Sequence, residues 1–123
     1  ALITTGSFPN ISAICDFLIT QNKNVLLGCA AWKDRVNMED TLFAGAVVSR
    51  VKTHFTIHCD ASLGAETLYQ NVQSDLWNFI KKTTHYHRLA AYGLEEDMQY
   101  CLSNDVANVL PIYMNEELSI IKT

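Results

Sequence analysis

The segment that most constrains the fold of this chain begins at Met38 and is apolar on all sides after its first turn. Asn37 precedes it as a candidate cap, and we predict a helix over residues 38–48. A helix without a polar face must be buried. Its small residues, Ala44, Gly45 and Ala46, would let another backbone approach closely. We therefore expect this helix to lie inside the fold.

Strands and helices alternate along the chain around this buried helix. Hydrophobic periodicity predicts strands over 1–5, 25–30 and 53–59, a helix from Ile11 to the polar stretch at 21–24, and a long helix over 62–83. The order ends with two short helices, over 85–92 and 94–102, and a terminal hairpin of strands 108–114 and 118–121. We place Pro111 of this hairpin at an edge position of the sheet. The pattern predicts one α/β domain, 1–123. We expect a layered fold with a mixed or parallel sheet flanked by helices, a C-terminal helical cluster and short terminal β segments.

Composition excludes several classes of protein. The 123 residues are 49% hydrophobic with a net charge of −4, which fits a folded core and excludes disorder. Lys81 and Lys82 form the only basic cluster, so a nucleic-acid partner is not expected. No apolar run approaches the roughly 20 residues that cross a bilayer, so no membrane partner is expected. Four widely spaced cysteines without a C-x-x-C pair favour reduced thiols and a cytoplasmic location.

Two loops join a predicted strand to a predicted helix, where α/β folds bind ligands. In the first, residues 6–10, Ser7 and Asn10 offer neutral hydrogen-bonding groups beside a helix N-terminus, which favours a small anionic ligand. The second spans residues 28–37. The alternative is that both loops are ordinary turns with helix caps, with Asn10 as an N-cap.

The second loop carries Cys29 and Arg35 at a C-x5-R spacing. Cysteine-dependent phosphatases use this spacing, because a thiolate attacks phosphorus while the arginine binds two of its oxygens. The loop lacks glycine between these two residues, and Val36 stands where a hydroxyl residue would assist the thiolate. Cys29 as a small apolar packing residue is the alternative.

Glu39 and Asp40 open the buried helix. Acidic residues in a first turn complement the helix dipole, and Asp40 three residues after Asn37 resembles a capping arrangement. The functional alternative is that the two carboxylates hold Mg²⁺ together with phosphate oxygens and water. Lys33 and Arg35 either neutralise a bound anion or keep the loop in solvent. His85 and His87 diverge on a helix, so we do not predict a zinc site there.

Four groups of residues together resemble the 2-phosphosulfolactate phosphatase family. They are Gly6-Ser7-Phe8-x-Asn10-x-x-Ala13, Cys29-Ala30-x-Trp32-Lys33-Asp34-Arg35, Glu39-Asp40-Thr41-Leu42-x-Ala44-Gly45-Ala46, and His87-Arg88-Leu89-Ala90 with Gly93, Asp97, Tyr100 and Cys101. The similarity runs nearly from end to end but covers only the second half of a family member. Ala31 stands where the family often has glycine.

The resemblance implies a Mg²⁺-dependent phosphatase of 2-phosphosulfolactate or a related 2-hydroxycarboxylic acid phosphate, a step of coenzyme M biosynthesis in some organisms. It implies substrate contacts from Ser7, Asn10, Lys33 and Arg35, with Glu39 and Asp40 as metal ligands or acid-base groups ahead of Cys29 as a nucleophile. It also implies that the missing N-terminal half is a partner in the full-length enzyme.

Two other functions stay open. One is a catalytically silent anion-binding or oligomerisation domain, and a homo-oligomer is compatible with the sequence. The other is a cysteine-dependent phosphatase that uses Cys29 and Arg35.

Overall fold

The computed structural model describes residues 2–122, and the helix predicted from residue 38 lies at its centre. This helix, α2, spans Met38–Val51, and Asn37 caps it by accepting a hydrogen bond from the Glu39 N–H at 2.9 Å. Leu42, Ala46 and Val47 are completely buried. The predictions of a buried helix and of its cap are both confirmed.

The closest packing of α2 is against α3, which spans Asp60–Val72. A Cβ atom added to Gly45 would lie 2.0 Å from the backbone oxygen of Ala65, so the two backbones touch at this position. At the end of the contact, Lys52 Nζ donates to the buried Glu66 carboxylate at 2.7 Å. The small residues of α2 therefore allow a helix contact that a larger side chain would block.

The first helix, α1, spans Ile11–Gln21 and follows a short 3-10 turn at Phe8–Asn10. Phe8 packs edge-on against Phe43 of α2, with ring centroids 5.5 Å apart. The first turn of α1 is capped from a distance, because Asp105 Oδ1 accepts a hydrogen bond from the Ser12 N–H at 2.8 Å. Asn10 occupies the cap position itself, but its side chain makes no capping bond to α1.

Three strands form an antiparallel sheet within residues 2–122. Strand β2 (Val109–Met114) lies between β1 (Ile3–Thr4) and β3 (Glu117–Lys122). The terminal hairpin is confirmed, and Asn115 and Glu116 turn it with φ of +53° and +65°. The expected α/β class, the C-terminal helical cluster and the short terminal strands are present. The sheet within residues 2–122 is antiparallel and not the mixed or parallel sheet that we expected, because the predicted inner strands at 25–30 and 53–59 do not form.

Pro111 lies in the central strand, so its predicted edge position was wrong. Its carbonyl accepts from the Thr5 N–H at 3.3 Å, but a proline has no N–H to return the bond. The β1–β2 ladder therefore ends at this point. The sheet tolerates the proline because β1 is only two residues long.

Two predicted strands do not form. Residues 25–30 have no regular structure because no strand of residues 2–122 runs beside them, and Leu26 stays 93% exposed. Residues 53–59 begin with a turn after α2, in which the His54 N–H donates to the Val51 carbonyl at 2.8 Å. The rest of this segment is irregular and connects to α3. Both segments are strand-like in composition, but neither has a partner strand in the described part of the chain.

The helix predicted over 62–83 is interrupted. After α3, a 3-10 turn at Gln73–Asp75 leads into α4, Leu76–Ile80, because Asp75 caps a new helix by accepting from the Asn78 N–H at 3.3 Å. Helices α5 (Thr84–Ala90) and α6 (Glu95–Cys101) follow as predicted. Gly93 ends the first of these with φ of +73°.

One hydrophobic core joins α1, α2, α4 and β2 through Ile11, Leu42, Ile80 and Leu110. The outer face of the sheet, by contrast, carries apolar side chains that residues 2–122 leave exposed, including Tyr113, Leu118 and Ile120. No helix within residues 2–122 has both the length and the apolar character that a membrane crossing requires.

The backbone contact at Gly45 leads to a stability prediction with opposite signs at two glycines. Gly45→Ala should lower the free energy of unfolding by about 3 kcal/mol, because the new methyl group overlaps backbone that has no room to move. The matched variant is Gly64→Ala, at an exposed position of α3 with open space around it. It should raise that free energy by roughly 0.5–1 kcal/mol. Urea denaturation of both variants measures the two changes, and equal effects would contradict the contact.

Candidate active site

Two cavities meet at the start of α2. The first, which we call the cleft, has a volume of about 490 Å³ and lies between residues 30–32, the start of α2 and helix α5. The second, which we call the groove, has about 920 Å³ and is lined mainly by apolar residues of β1, α1 and the irregular segment 23–30. Glu39 and Asp40 line both cavities, so the acidic pair lies on the wall that they share.

Asp40 holds the loop in front of α2. Its Oδ2 accepts a hydrogen bond from the Ala31 N–H at 2.8 Å. The capping arrangement expected between Asn37 and Asp40 does not form, because the Asn37 side chain caps Glu39 and Asp40 turns to the loop. The bond to Ala31 uses Oδ2, and the Asp40 side chain also lines both cavities.

The loop after Ala31 is a tight hairpin. Trp32 and Arg35 exchange two backbone hydrogen bonds of 3.0 Å, and Lys33 and Asp34 form the turn with φ of +49° and +60°. Ala31 also has a left-handed backbone, with φ of +63°. A left-handed conformation is unfavourable for a residue with a Cβ atom. The family that the sequence resembles often has glycine at this position, and glycine adopts a left-handed backbone without that steric cost.

His85 of α5 connects Glu39 to Arg88. Its Nε2 lies 3.1 Å from Glu39 Oε2, and its Nδ1 contacts Arg88 Nη2. Because arginine only donates, Nδ1 must accept, which leaves the ring proton on Nε2, the nitrogen nearer Glu39. The Nδ2 group of Asn37 lies 3.5 Å from the same Nδ1.

The guanidinium of Arg88 lies over an aromatic ring, since its central carbon is 4.0 Å from the centroid of the Trp32 indole. Neither His85 nor Arg88 was among the site residues predicted from sequence. His85 was considered only as a zinc ligand, and Arg88 only as part of the His87-Arg88-Leu89-Ala90 resemblance. That motif was the available signal, but nothing local indicated that α5 folds back onto the loop at 30–32.

Ser7 and Asn10 lie apart from the cleft. Ser7 lines the groove, and its N–H donates to Asn10 Oδ1 at 2.8 Å. Asn10 is buried, and its Nδ2 donates to the carbonyls of Val109 at 3.0 Å and Thr5 at 3.4 Å. The Thr5 carbonyl is the one that Pro111 leaves without a partner. Asn10 therefore joins the loop to the sheet, and its contact with substrate stays a prediction.

Cys29 lines the groove close to Asp40, but its thiol has the wrong electrostatics for a thiolate nucleophile. Partial burial, and then the negative charge of Asp40, raise its pKa above the ordinary value. Lys33 and Arg35 lie on the exposed hairpin outside the walls of both cavities. Their contact with substrate stays a prediction.

The described part of the chain contains no group of three or more His, Cys, Asp or Glu residues placed to hold a metal ion. The acidic donors at the cleft are Glu39 and Asp40 alone. This set fits magnesium, which typically takes one or two protein carboxylates and fills its other positions with water and phosphate oxygens.

Comparison with known proteins identifies the family. The sequence matches 2-phosphosulpholactate phosphatase over residues 1–116, and the chain belongs to this family. A probable 2-phosphosulfolactate phosphatase of Synechocystis sp. is 35% identical over 113 residues, covering 89% of this chain and 47% of that protein. A probable 2-phosphosulfolactate phosphatase of Thermotoga petrophila is 33% identical over 113 residues, covering 92% of this chain and 48% of that protein. The chain spans about half the length of the curated relatives it matches, and the resemblance seen in the sequence is confirmed.

The position of Cys29 beside Asp40 predicts how its reactivity responds to charge. Asp40→Asn should lower the pKa of Cys29, because it removes the negative charge that disfavours the thiolate. The rate of Cys29 alkylation by iodoacetamide below that pKa should then rise, as peptide mass spectrometry would measure. Asp34→Asn, on the exposed hairpin, is the control and should leave the rate unchanged. An unchanged rate in both variants would contradict the proximity.

The buried amide of Asn10 predicts a structural loss. Asn10→Asp keeps the size and the acceptor for Ser7 but removes both donated bonds and places a carboxylate against two carbonyl oxygens. The free energy of unfolding should fall by about 3 kcal/mol in urea denaturation. Asn24→Asp, at an exposed position, should change it by less than about 0.5 kcal/mol. A residue that served only to contact substrate would leave the stability unchanged.

Proposed function

We propose that the full-length protein hydrolyses 2-phosphosulfolactate or a related 2-hydroxycarboxylic acid phosphate in a Mg²⁺-dependent reaction. By full-length protein we mean this sequence together with the half that its relatives carry and this chain does not match. Membership of the phosphatase family supports the reaction class. The observation that carries the proposal is the position of Glu39 and Asp40 side by side on the wall between cleft and groove.

The charge of this wall supports the metal. Two adjacent carboxylates repel a phosphate dianion, so an ester can approach them only if a cation lies between. In our proposal Glu39 and Asp40 hold that cation. When bound, magnesium neutralises charge on the phosphoryl oxygens and fixes their direction.

The surrounding residues hold the two carboxylates in place. His85 Nε2 lies 3.1 Å from Glu39 Oε2, and the Ala31 N–H donates to Asp40, so each carboxylate has one close polar contact. The cap from Asn37 fixes the first turn of α2 on which both stand. Carboxylates held in this way need little rearrangement to bind a metal and its ester, which is the advantage of a preorganised site.

The other half of the protein is the partner that we propose. The apolar segment 25–30 and the outer face of the sheet are exposed in this chain, and the relatives contain as much sequence again. Apolar surface of this kind usually marks a contact with other protein. We propose that the second half covers the groove and supplies further residues to the site. The cytoplasmic location and the role in coenzyme M biosynthesis stay predictions.

Two competing functions make different predictions. Cysteine-dependent hydrolysis needs a thiolate at Cys29, and the raised pKa of that thiol opposes it. A silent oligomerisation domain would associate through its exposed apolar surface without releasing phosphate. Light scattering of this chain alone and mixed with the other half distinguishes self-association from pairing of the halves.

The proposal predicts which variants lose turnover. In the full-length protein, Asp40→Asn should reduce kcat for phosphate release by about 10²-fold or more, because it removes one of two charges that hold the metal while keeping an acceptor for Ala31. Cys29→Ser should retain activity, and EDTA should abolish it. The control Asp34→Asn should be neutral. The assay uses a panel of 2-phospho-hydroxy acids, and loss of turnover with Cys29→Ser but not with EDTA would establish the cysteine mechanism instead.

A further inference from the structure

Arg88 is the one Lys or Arg side chain on the cleft wall among the described residues. It faces a wall with two carboxylates, yet no Asp or Glu within residues 2–122 lies at salt-bridge distance from its guanidinium. Glu39 is instead in contact with His85. A half-buried arginine that has no carboxylate partner and lines a cavity is well suited to bind an anion that enters from solvent.

The guanidinium is also held in position before any ligand arrives. The Trp32 indole lies 4.0 Å from its central carbon, and His85 Nδ1 accepts one of its N–H groups. An arginine carries five N–H donors in one plane, so four remain for a ligand. Because the side chain is already ordered, an anion can bind without the usual loss of rotamer freedom.

We propose that Arg88 binds the second anionic group of the substrate, the carboxylate or sulfonate that is not hydrolysed. This inference rests on the proposed phosphatase function. The cleft then has two different ends. The phosphoryl group lies at the acidic pair on α2, where it needs a metal, and the remaining oxyanion lies at Arg88 on α5, where it needs none.

The chemistry of the two ends supports this assignment over the reverse. The carboxylates of Glu39 and Asp40 repel any anion that lacks a metal, and phosphate monoesters are the usual partners of magnesium in proteins. A carboxylate or sulfonate presents two oxygens to a planar guanidinium and forms paired hydrogen bonds with it. The inference therefore explains why the substrate class would be an acid phosphate and not a simple alkyl phosphate.

The first experiment uses the wild-type chain. The sequence has three arginines, Arg35, Arg50 and Arg88, and phenylglyoxal modifies each at a rate that peptide mass spectrometry can follow. Methanesulfonate or acetate, in EDTA and compared with sodium chloride of equal ionic strength, should slow modification of Arg88 several-fold and leave the rate at Arg50, which lines neither cavity, unchanged. Equal rates at Arg88 with and without the organic anion would overturn the inference.

The second experiment uses the full-length protein and two esters that differ only in the second anion. 2-Phospholactate has a carboxylate where isopropyl phosphate has a methyl group. Arg88→Lys keeps the charge but loses the planar pair of donors, so kcat/KM for 2-phospholactate should fall at least about tenfold while that for isopropyl phosphate stays within about twofold. Arg50→Lys, the same change in the last turn of α2 and outside both cavities, should alter neither.

The two experiments distinguish failure of this inference from failure of the proposed function. If the protein hydrolyses both esters and Arg88→Lys lowers both values equally, Arg88 acts on the phosphoryl end and the inference is wrong, while the phosphatase function stands. If organic anions protect Arg88 but no ester releases phosphate, the proposed function is wrong and the anion site stands.

Discussion

The backbone contact between α2 and α3 at Gly45 determines where the site residues lie. Gly45 meets the Ala65 carbonyl without a side chain between them, which fixes the position of α2 along its axis. The first turn of α2 is half-buried and lies on the wall of the cleft and the groove. Glu39 and Asp40 stand on that turn. Packing near the middle of the helix thus positions the carboxylates at its beginning.

The features predicted from sequence were those that depend on local chemistry. The buried helix follows from its uniform apolar surface, its cap from Asn37, and the end of α5 from Gly93. Residues 25–30 and 53–59 were predicted as strands because their composition is strand-like, but a strand also needs a neighbour, and composition does not reveal one. The break at Asp75 was missed because a strong apolar stripe continued across it.

The same distinction applies to the site. Glu39 and Asp40 were recognisable because they are adjacent and open a helix, and the structure places them at both cavities. Arg88 and Trp32 are more than 50 residues apart in sequence, and only the return of α5 toward the loop at 30–32 brings them together. Asn10 was recognisable as a polar group in a loop, but its structural role depends on Pro111, which lies on a distant strand.

The position of β3 has a consequence for handling this chain. The strand pairs with β2 on one side, and no other strand of residues 2–122 pairs with its opposite side. Its outward face carries Leu118 and Ile120, both well exposed. An open, apolar strand edge is a template for adding further strands, from any copy of the same molecule. Concentrated preparations of the isolated chain will therefore tend to aggregate through this edge, and charged substitutions on β3 are the direct remedy.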